Sequence, residues 1–134
     1  SSDLKIGYIH ESFIYYLQRE GSIMGTKYSD KMYDIFEILD RVYVFLEDHG
    51  LLSEYHDEIE YLYAEHIMVY GAFRFLRTDH YRELCDHARS IMKYRFPKWK
   101  SNRYLKIRFN WKNRLFYMTN NAVTYGLWKR IIGD

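Results

Sequence analysis

The stretch Met32-Tyr-Asp-Ile-Phe-Glu-Ile-Leu-Asp-Arg-Val-Tyr-Val-Phe-Leu46 decides the fold class of this chain. Its apolar side chains recur every third or fourth residue, which places them on one face of an α-helix with charged side chains opposite. Ser29 can cap the start of this helix, and Gly50 can end it in a left-handed conformation. The helix is predicted to bury Met32, Ile35, Phe36, Leu39, Val42, Tyr43 and Leu46.

Two further helices follow with the same periodicity. The second is predicted over residues 53–77, and the third begins at Thr78 or Asp79 and ends before Pro97, because proline disfavours a helical conformation in the residue before it. The loops between the helices are short, so consecutive helices are expected to lie antiparallel. Residues 29–96 are therefore predicted to form an up-down-up bundle. Shorter helices are predicted from Asn110 to Tyr117 and from Asn121 to Ile132.

The first residues have a different character. β-branched and aromatic residues crowd positions 4–17, interrupted by His10-Glu-Ser12, and this pattern predicts two short strands joined by a turn. The predicted fold class is thus mainly α, an antiparallel helical bundle of three long helices plus short C-terminal helices, with a short N-terminal β segment. A boundary is predicted in the loop near residues 21–28. It separates residues 1–28 from a helical domain at 29–134, whose last part, 93–134, is a tail.

Composition limits the class of protein. The chain has 134 residues, of which 48% are apolar, enough for one modest core. A single cysteine excludes an intramolecular disulfide framework and fits a reducing compartment. No apolar run approaches the roughly twenty residues that cross a bilayer, and no charged-then-apolar leader occurs. We therefore expect neither a membrane span nor a secretion signal, and a cytoplasmic location.

Charge is distributed very unevenly along the chain. Up to Met92 there are 9 Lys and Arg against 17 Asp and Glu, whereas from Lys93 onward there are 11 against 1. The basic tail also carries many aromatic residues, a mixture that suits an anionic membrane or single-stranded nucleic acid, or that simply packs on the bundle. The predicted contacts to a membrane or polyanion are Lys98, Trp99, Lys100, Arg103, Lys106, Arg108, Trp111, Lys112, Arg114, Trp128, Lys129 and Arg130.

No metal site and no catalytic residue are predicted within the chain. His80, Glu83 and His87 share one helix face, but that face lies opposite the apolar stripe and lacks further ligands, so a solvated polar face is the better interpretation. His66 lies on an apolar stripe and is predicted to be a core histidine. Cys85 lies on another such stripe and is predicted to be a small, unreactive core residue.

The run Tyr16-Leu-Gln-Arg-Glu-Gly-Ser-Ile23 has the spacing Y-x-x-R-x-G-S. Together with the preceding Lys5-Ile-Gly-Tyr-Ile-His-Glu-Ser12 and the later Arg95-Phe-Pro-Lys-Trp-Lys100, it resembles the C-terminal region of bacterial family 2 (GT-A type) glycosyltransferases. Ser12 stands where that family commonly has proline. The resemblance implies that Gln18, Arg19, Gly21 and Ser22 contact the diphosphate of the donor or the acceptor. The planar guanidinium of an arginine such as Arg19 can donate two hydrogen bonds to the oxygens of a phosphate.

The resemblance implies a helical C-terminal domain that supports a catalytic domain in cell-surface polysaccharide or glycoconjugate synthesis. The family's Asp-x-Asp motif and catalytic carboxylate are not found in these residues, so they are expected before Ser1, and the chain alone is expected to be inactive. The parent enzyme would use Mg or Mn, a nucleotide-sugar donor, and a glycan or lipid-linked acceptor. Further expected partners are its own catalytic domain, the inner face of the plasma membrane and a second copy of the chain. The alternative is a non-enzymatic adaptor that binds protein or, less favoured, nucleic acid through the tail.

Overall fold

The computed structural model describes residues 2–19 and 28–133, and the side chains of 3–19 and 32–133. The described chain is mainly helical, as the sequence predicts, and contains no strand. It forms two compact units, Ser1–Leu62 and Tyr63–Asp134. The α-helices are α1 (Ser2–Arg19), α2 (Tyr28–Asp48), α3 (His56–Tyr63), α4 (Tyr70–Leu76), α5 (Tyr81–Arg95), α6 (Arg103–Arg108), α7 (Trp111–Thr119) and α8 (Tyr125–Ile132).

The predicted N-terminal β segment is wrong, because the structure makes Ser2–Arg19 one continuous α-helix. Ile9 and Phe13 are buried, at 0% and 3% exposure, and their spacing of four residues puts them on the same helix face. The abundance of β-branched and aromatic residues suggested strands, but the burial of this helical face outweighs their local preference. Helix α1 packs against α2 within the first unit.

Helix α2 follows the prediction closely. Ile35, Phe36, Leu39, Val42 and Leu46 are all buried, and the charged residues between them are exposed. Met32 and Tyr43, which were also predicted to be buried, are half-buried. Gly50 adopts φ +67°, the left-handed conformation predicted for it, and the Leu51 amide donates to the carbonyl of Leu46 at 2.8 Å. The helix begins at Tyr28, so Ser29 lies inside it and is not its cap. The prediction of Ser29 as the cap is therefore wrong.

The second predicted helix contains a turn of π-helix at Ala64–Val69, between α3 and α4. The amide of Tyr70 donates to the carbonyl of Glu65, a five-residue step, and Val69 departs from helical geometry at φ −116°, ψ −84°. Gly71 accommodates this turn, because a Cβ there would overlap the carbonyl oxygen of His66 and lie 2.6 Å from its carbonyl carbon. The helix begins at His56, so Ser53 is not its cap.

Helix α5 confirms the third predicted helix, with Leu84, Cys85, Ala88 and Met92 buried. It begins at Tyr81, later than predicted, after a turn in which the hydroxyl of Thr78 donates to the carbonyl of Phe75 at 2.8 Å. Helix α4 packs against α5 within the second unit. The predicted three-helix bundle would include residues of both units and stays a prediction, as does the predicted domain boundary near residues 21–28.

The C-terminal helices of the described chain are more numerous than predicted, and the last one is shorter. Asn110 caps α7 as expected, accepting from the amide of Asn113 at 2.9 Å. Asn121 instead organises a turn, and α8 begins only at Tyr125. Helix α6 was not predicted, although Asn102 caps it by accepting from the amide of Tyr104. Within the described ranges, none of the helices combines the length and apolar character needed to cross a bilayer.

Candidate functional site

The segment that resembles glycosyltransferases lies partly outside the described residues. Gln18 and Arg19 are exposed in the last turn of α1, whereas Gly21 and Ser22 are not described. The guanidinium of Arg19 lies 5.4 Å from the centroid of the Tyr15 ring. The C-terminal end of a helix carries the negative end of its dipole. The dipole of α1 therefore does not favour a phosphate at this end of the helix.

Most of the predicted cationic contacts in the tail are exposed and face solvent. Lys129 differs, because its Nζ donates to the backbone carbonyls of Leu76 at 2.8 Å and Thr78 at 3.1 Å. These carbonyls lie at the C-terminal end of α4, where a cation is also favoured by the helix dipole. Lys129 is thus engaged in holding α8 to the end of α4. The exposed cations are Lys98, Lys100, Arg103, Lys106, Arg108, Lys112, Arg114 and Arg130.

The three tryptophans have different environments. Trp99 is buried, at 6% exposure, and its ring centroid lies 5.6 Å from that of Tyr117. Trp128 is half-buried and its indole Nε1 donates to the hydroxyl of Thr119 at 3.2 Å. Only Trp111 among them is largely exposed, at 69%. Trp99 and Trp128 therefore pack within the second unit, and Trp111 is the tryptophan available to a partner.

Helix α7 presents an outward apolar face formed by Trp111, Leu115 and Met118, with exposures of 69%, 51% and 55%. The spacing of these residues aligns them along one side of the helix. On the opposite side Phe116 and Tyr117 are buried, so the outward face is not needed for the core of the unit. Lys112 and Arg114 flank the stripe in helical projection, and Nζ of Lys112 lies 5.7 Å from the Trp111 ring centroid.

A cavity of about 620 Å³ lies within the second unit. It is bounded by the polar face of α5, by the turn that follows Pro97 and by the end of α7. Helix α5 ends at Arg95, where the Phe96 amide donates to the carbonyl of Met92 at 2.7 Å. Pro97 and Trp99 follow this helix end. The apolar part of the wall consists of Met68, Met92, Pro97 and Trp99.

The charged residues of this cavity are mainly cationic. Asp86, Arg89, Ser90 and Lys93 come from α5 at a spacing that places them on one helix face, and Lys100 comes from the turn. Nζ of Lys100 lies 5.7 Å from the ring centroid of Trp99. The cavity is therefore lined by three cations and one carboxylate. Of these charged residues, only Lys100 was predicted from the sequence to be a contact residue, as a cation of the basic tail.

Two adjacent asparagines line the cavity and differ in their hydrogen bonding. The Oδ1 of Asn121 accepts from the amides of Val123 and Thr124, so Asn121 is engaged in its own turn. Asn120 is only 8% exposed, and among the described residues its buried Oδ1 has no hydrogen-bond partner. A buried acceptor without a partner costs about 1–3 kcal/mol. Sequence reasoning missed Asn120, because its burial depends on tertiary packing.

Two buried groups beside the cavity favour their neutral forms. Burial raises the pKa of the Cys85 thiol to about 12, with a further contribution from Asp86 and an opposing one from Arg89. Burial also raises the pKa of Tyr125 to about 12, opposed by the nearby Arg89. At neutral pH Cys85 is thus a buried, protonated thiol, which agrees with its predicted role as a core residue.

The only residue group in the described chain with metal-ligand geometry is His56, Asp57 and Glu60, whose ligand atoms all lie within 4.8 Å of one another. His56 and Asp57 are exposed and form an ion pair of 3.3 Å. Structural zinc sites use four ligands, and exposed acidic groups of this kind are common without an ion, so we assign no metal here. His80, Glu83 and His87 are exposed, as predicted for a polar face.

Comparisons with protein-family models, with curated proteins and with solved structures found no match for this chain.

Proposed function

We propose that this chain is the helical C-terminal domain of a nucleotide-sugar-dependent glycosyltransferase, acting in bacterial cell-surface polysaccharide or glycoconjugate synthesis and resting on an anionic membrane. The assignment to a glycosyltransferase rests on the order of the motifs from Lys5 to Lys100. The membrane part rests on one structural observation, the exposed stripe of Trp111, Leu115 and Met118 flanked by cations.

The outward face of α7 has the chemistry that an anionic bilayer surface attracts. Each Lys or Arg near such a surface contributes about 1 kcal/mol, and tryptophan prefers the level of the lipid headgroups. Lys112 and Arg114 can extend to the headgroups while Leu115 and Met118 enter the acyl boundary, as in interfacial amphipathic helices. A domain held in this way would keep an attached catalytic domain close to a lipid-linked acceptor.

The role of the first unit is proposed by resemblance. Arg19 would contact the donor diphosphate or the acceptor, together with Gln18, Gly21 and Ser22. A guanidinium is suited to this role because it stabilises the negative charge that develops on a diphosphate leaving group. The catalytic carboxylate and the site for Mg or Mn would belong to the catalytic domain of the parent protein. The present chain would not transfer sugar by itself.

Vesicle sedimentation tests the membrane part. The chain should sediment with phosphatidylglycerol vesicles and much less with phosphatidylcholine vesicles, and salt should weaken the binding. The variant Trp111→Ser should lower the partition coefficient by about 10- to 150-fold, since a large buried aromatic contributes on the order of 1.5–3 kcal/mol. Tyr94→Ser is the matched control, because Tyr94 is an exposed aromatic, at 86%, on α5. Equal binding to both vesicle types would exclude the membrane role.

The glycosyltransferase part is tested separately in the parent protein. Its gene should encode alternating strands and helices, an Asp-x-Asp motif and a Glu-Asp carboxylate before Ser1, and Arg19→Ala should lower sugar transfer more than Arg41→Ala. Arg41 is the control because it is an exposed helical arginine, paired with Glu37 at 3.1 Å. An upstream sequence without those motifs would reject the glycosyltransferase. Tight binding of single-stranded oligonucleotide at moderate salt, without vesicle binding, would favour the adaptor.

A further inference from the structure

We infer that the cavity between α5, the Pro97 turn and the end of α7 is a binding site for a soluble phosphate ester that carries hydroxyl groups. This site lies within the second unit and uses none of the residues of the outward face of α7. The inference is therefore independent of the proposed membrane role and of the proposed glycosyltransferase.

The charge of the cavity matches a phosphate monoester. Arg89, Lys93 and Lys100 supply three positive charges, and Asp86 supplies one negative charge, which leaves a net charge of +2. A phosphate monoester carries about −1.5 to −2 at neutral pH, whereas a carboxylate would balance only part of the positive charge. The Arg89 guanidinium, whose carbon lies 6.0 Å from the centroid of the Tyr125 ring, can add one charge-assisted contact to a phosphate, and the lysines can act as point charges beside it.

Asn120 points to the second chemical feature of the ligand. Asn120 lines the cavity and is only 8% exposed, and its solvent-inaccessible Oδ1 has no hydrogen-bond partner among the described residues, so a ligand hydroxyl reaches this oxygen once the side chain turns towards the cavity. A phosphate has no donor for this oxygen once its own oxygens are ionised, but a hydroxyl group does. Asn121, the neighbouring residue, is already bonded within its turn. A ligand that satisfies both features therefore carries hydroxyl groups as well as a phosphate.

Size and apolar lining agree with a compact sugar phosphate. The volume of about 620 Å³ falls within the range of about 300–1,000 Å³ that is usual for small-molecule sites. Met68, Met92 and Pro97 offer an apolar wall for the carbon skeleton of a sugar, opposite the cations at the rim. The site is open enough for a free ligand to enter, since Arg89, Lys93 and Lys100 are all exposed.

Isothermal titration calorimetry with the full chain tests this inference, using glucose 6-phosphate, inorganic phosphate and glucose as probes. Glucose 6-phosphate should bind most tightly, inorganic phosphate more weakly, and glucose without measurable heat. The double variant Lys93→Gln, Lys100→Gln should weaken glucose 6-phosphate binding by about tenfold or more, since each lysine is expected to make a charge-assisted contact. The control double variant Arg74→Gln, Arg77→Gln removes two exposed cations of the same unit that lie outside the cavity and should change Kd by less than about twofold.

A second variant separates the hydroxyl contact from the phosphate contact. Asn120→Leu should lower the affinity for glucose 6-phosphate to that for inorganic phosphate, while leaving the affinity for inorganic phosphate unchanged. Circular dichroism confirms that each variant is folded, and the lysine variants, which change exposed side chains, keep the test valid if Asn120→Leu unfolds.

Several results would overturn the inference. One is the absence of heat with both phosphate ligands at millimolar concentration. Another is an equal loss of affinity in the cavity and control double variants, which would indicate general cationic attraction. A third concerns the source of the phosphate: if the cavity variant loses binding to phosphatidylglycerol vesicles while glucose 6-phosphate never binds, the site takes a lipid headgroup and not a soluble ester.

Discussion

Replacing Gly71 by alanine should destabilise the second unit, even though alanine is the better helix former. The added Cβ would overlap the carbonyl oxygen of His66 and lie 2.6 Å from its carbonyl carbon, and both atoms belong to the backbone of the π-helical turn. A backbone atom cannot rotate away as a side chain does. The clash is therefore relieved only by changing the turn itself, which alters how Ala64–Val69 packs.

The expected size of this effect comes from two opposing contributions. Overpacking a well-packed site usually costs about 1–3 kcal/mol, and a backbone clash lies at the upper end of that range. Alanine recovers about 1 kcal/mol of helix propensity relative to glycine. The net loss for Gly71→Ala is therefore about 2 kcal/mol. In Gly7→Ala only the favourable contribution remains, because nothing lies within 4 Å of a Cβ at Gly7, so this variant should be more stable by about 0.5–1 kcal/mol.

Urea denaturation followed by circular dichroism measures both variants. Gly71→Ala should lower the midpoint of unfolding, and Gly7→Ala should raise it. Because the chain has two compact units, the unfolding curve must be examined for more than one transition before a single free energy is derived. A Gly71→Ala protein as stable as wild type would refute the reasoning, since it would mean that the π-helical turn is not required by the packing around it.

Three further predictions concern the second unit. Lys129→Met should lower the free energy of unfolding by about 1.5–3 kcal/mol, because its ammonium donates to two backbone carbonyls, whereas Arg130→Met should have little effect in the same urea titration. Asn102→Ala should cost about 1–2 kcal/mol in thermal melts, since it removes the buried cap of α6 and leaves the amide of Tyr104 unsatisfied. Stability should fall as pH rises from 9.0 towards about 12, because the thiol of Cys85 loses its proton in the unfolded chain before the folded one, and Cys85→Ala should reduce that loss in denaturation measured across pH.

Helical periodicity predicted the long helices of this fold because it depends on short-range geometry. The apolar stripe of α2 and the left-handed Gly50 are both local features, and both are confirmed. The strand prediction for residues 4–17 failed because residue preference was weighed above the four-residue spacing of Ile9 and Phe13. The π-helical turn has no comparable local signal, since Gly71 alone does not distinguish a close backbone contact from an ordinary helical glycine.

The candidate site was harder to predict than the fold. The basic character of the tail is evident from sequence, but the separation of Trp111, which is exposed, from Trp99, which is buried, depends on tertiary packing. The cavity joins residues that are far apart in the chain, from Met68 to Asn121. The sequence predicted a polar face at His80, Glu83 and His87, but the face of α5 that lines the cavity carries Asp86, Arg89, Ser90 and Lys93. Nothing in the sequence showed that Asn120 would lie opposite that face with a buried oxygen.

The buried Cys85 gives this protein a built-in reporter of its own opening. It is the single cysteine of the chain and lies in the second unit, so a thiol reagent can react only when that unit exposes it. When reclosing is fast, the labelling rate measures the population of the open form under native conditions. Circular dichroism reports on the helices of both units, whereas the labelling rate of Cys85 reports on the second unit alone. A difference between the two signals along one urea series would show whether Ser1–Leu62 and Tyr63–Asp134 unfold together or in succession.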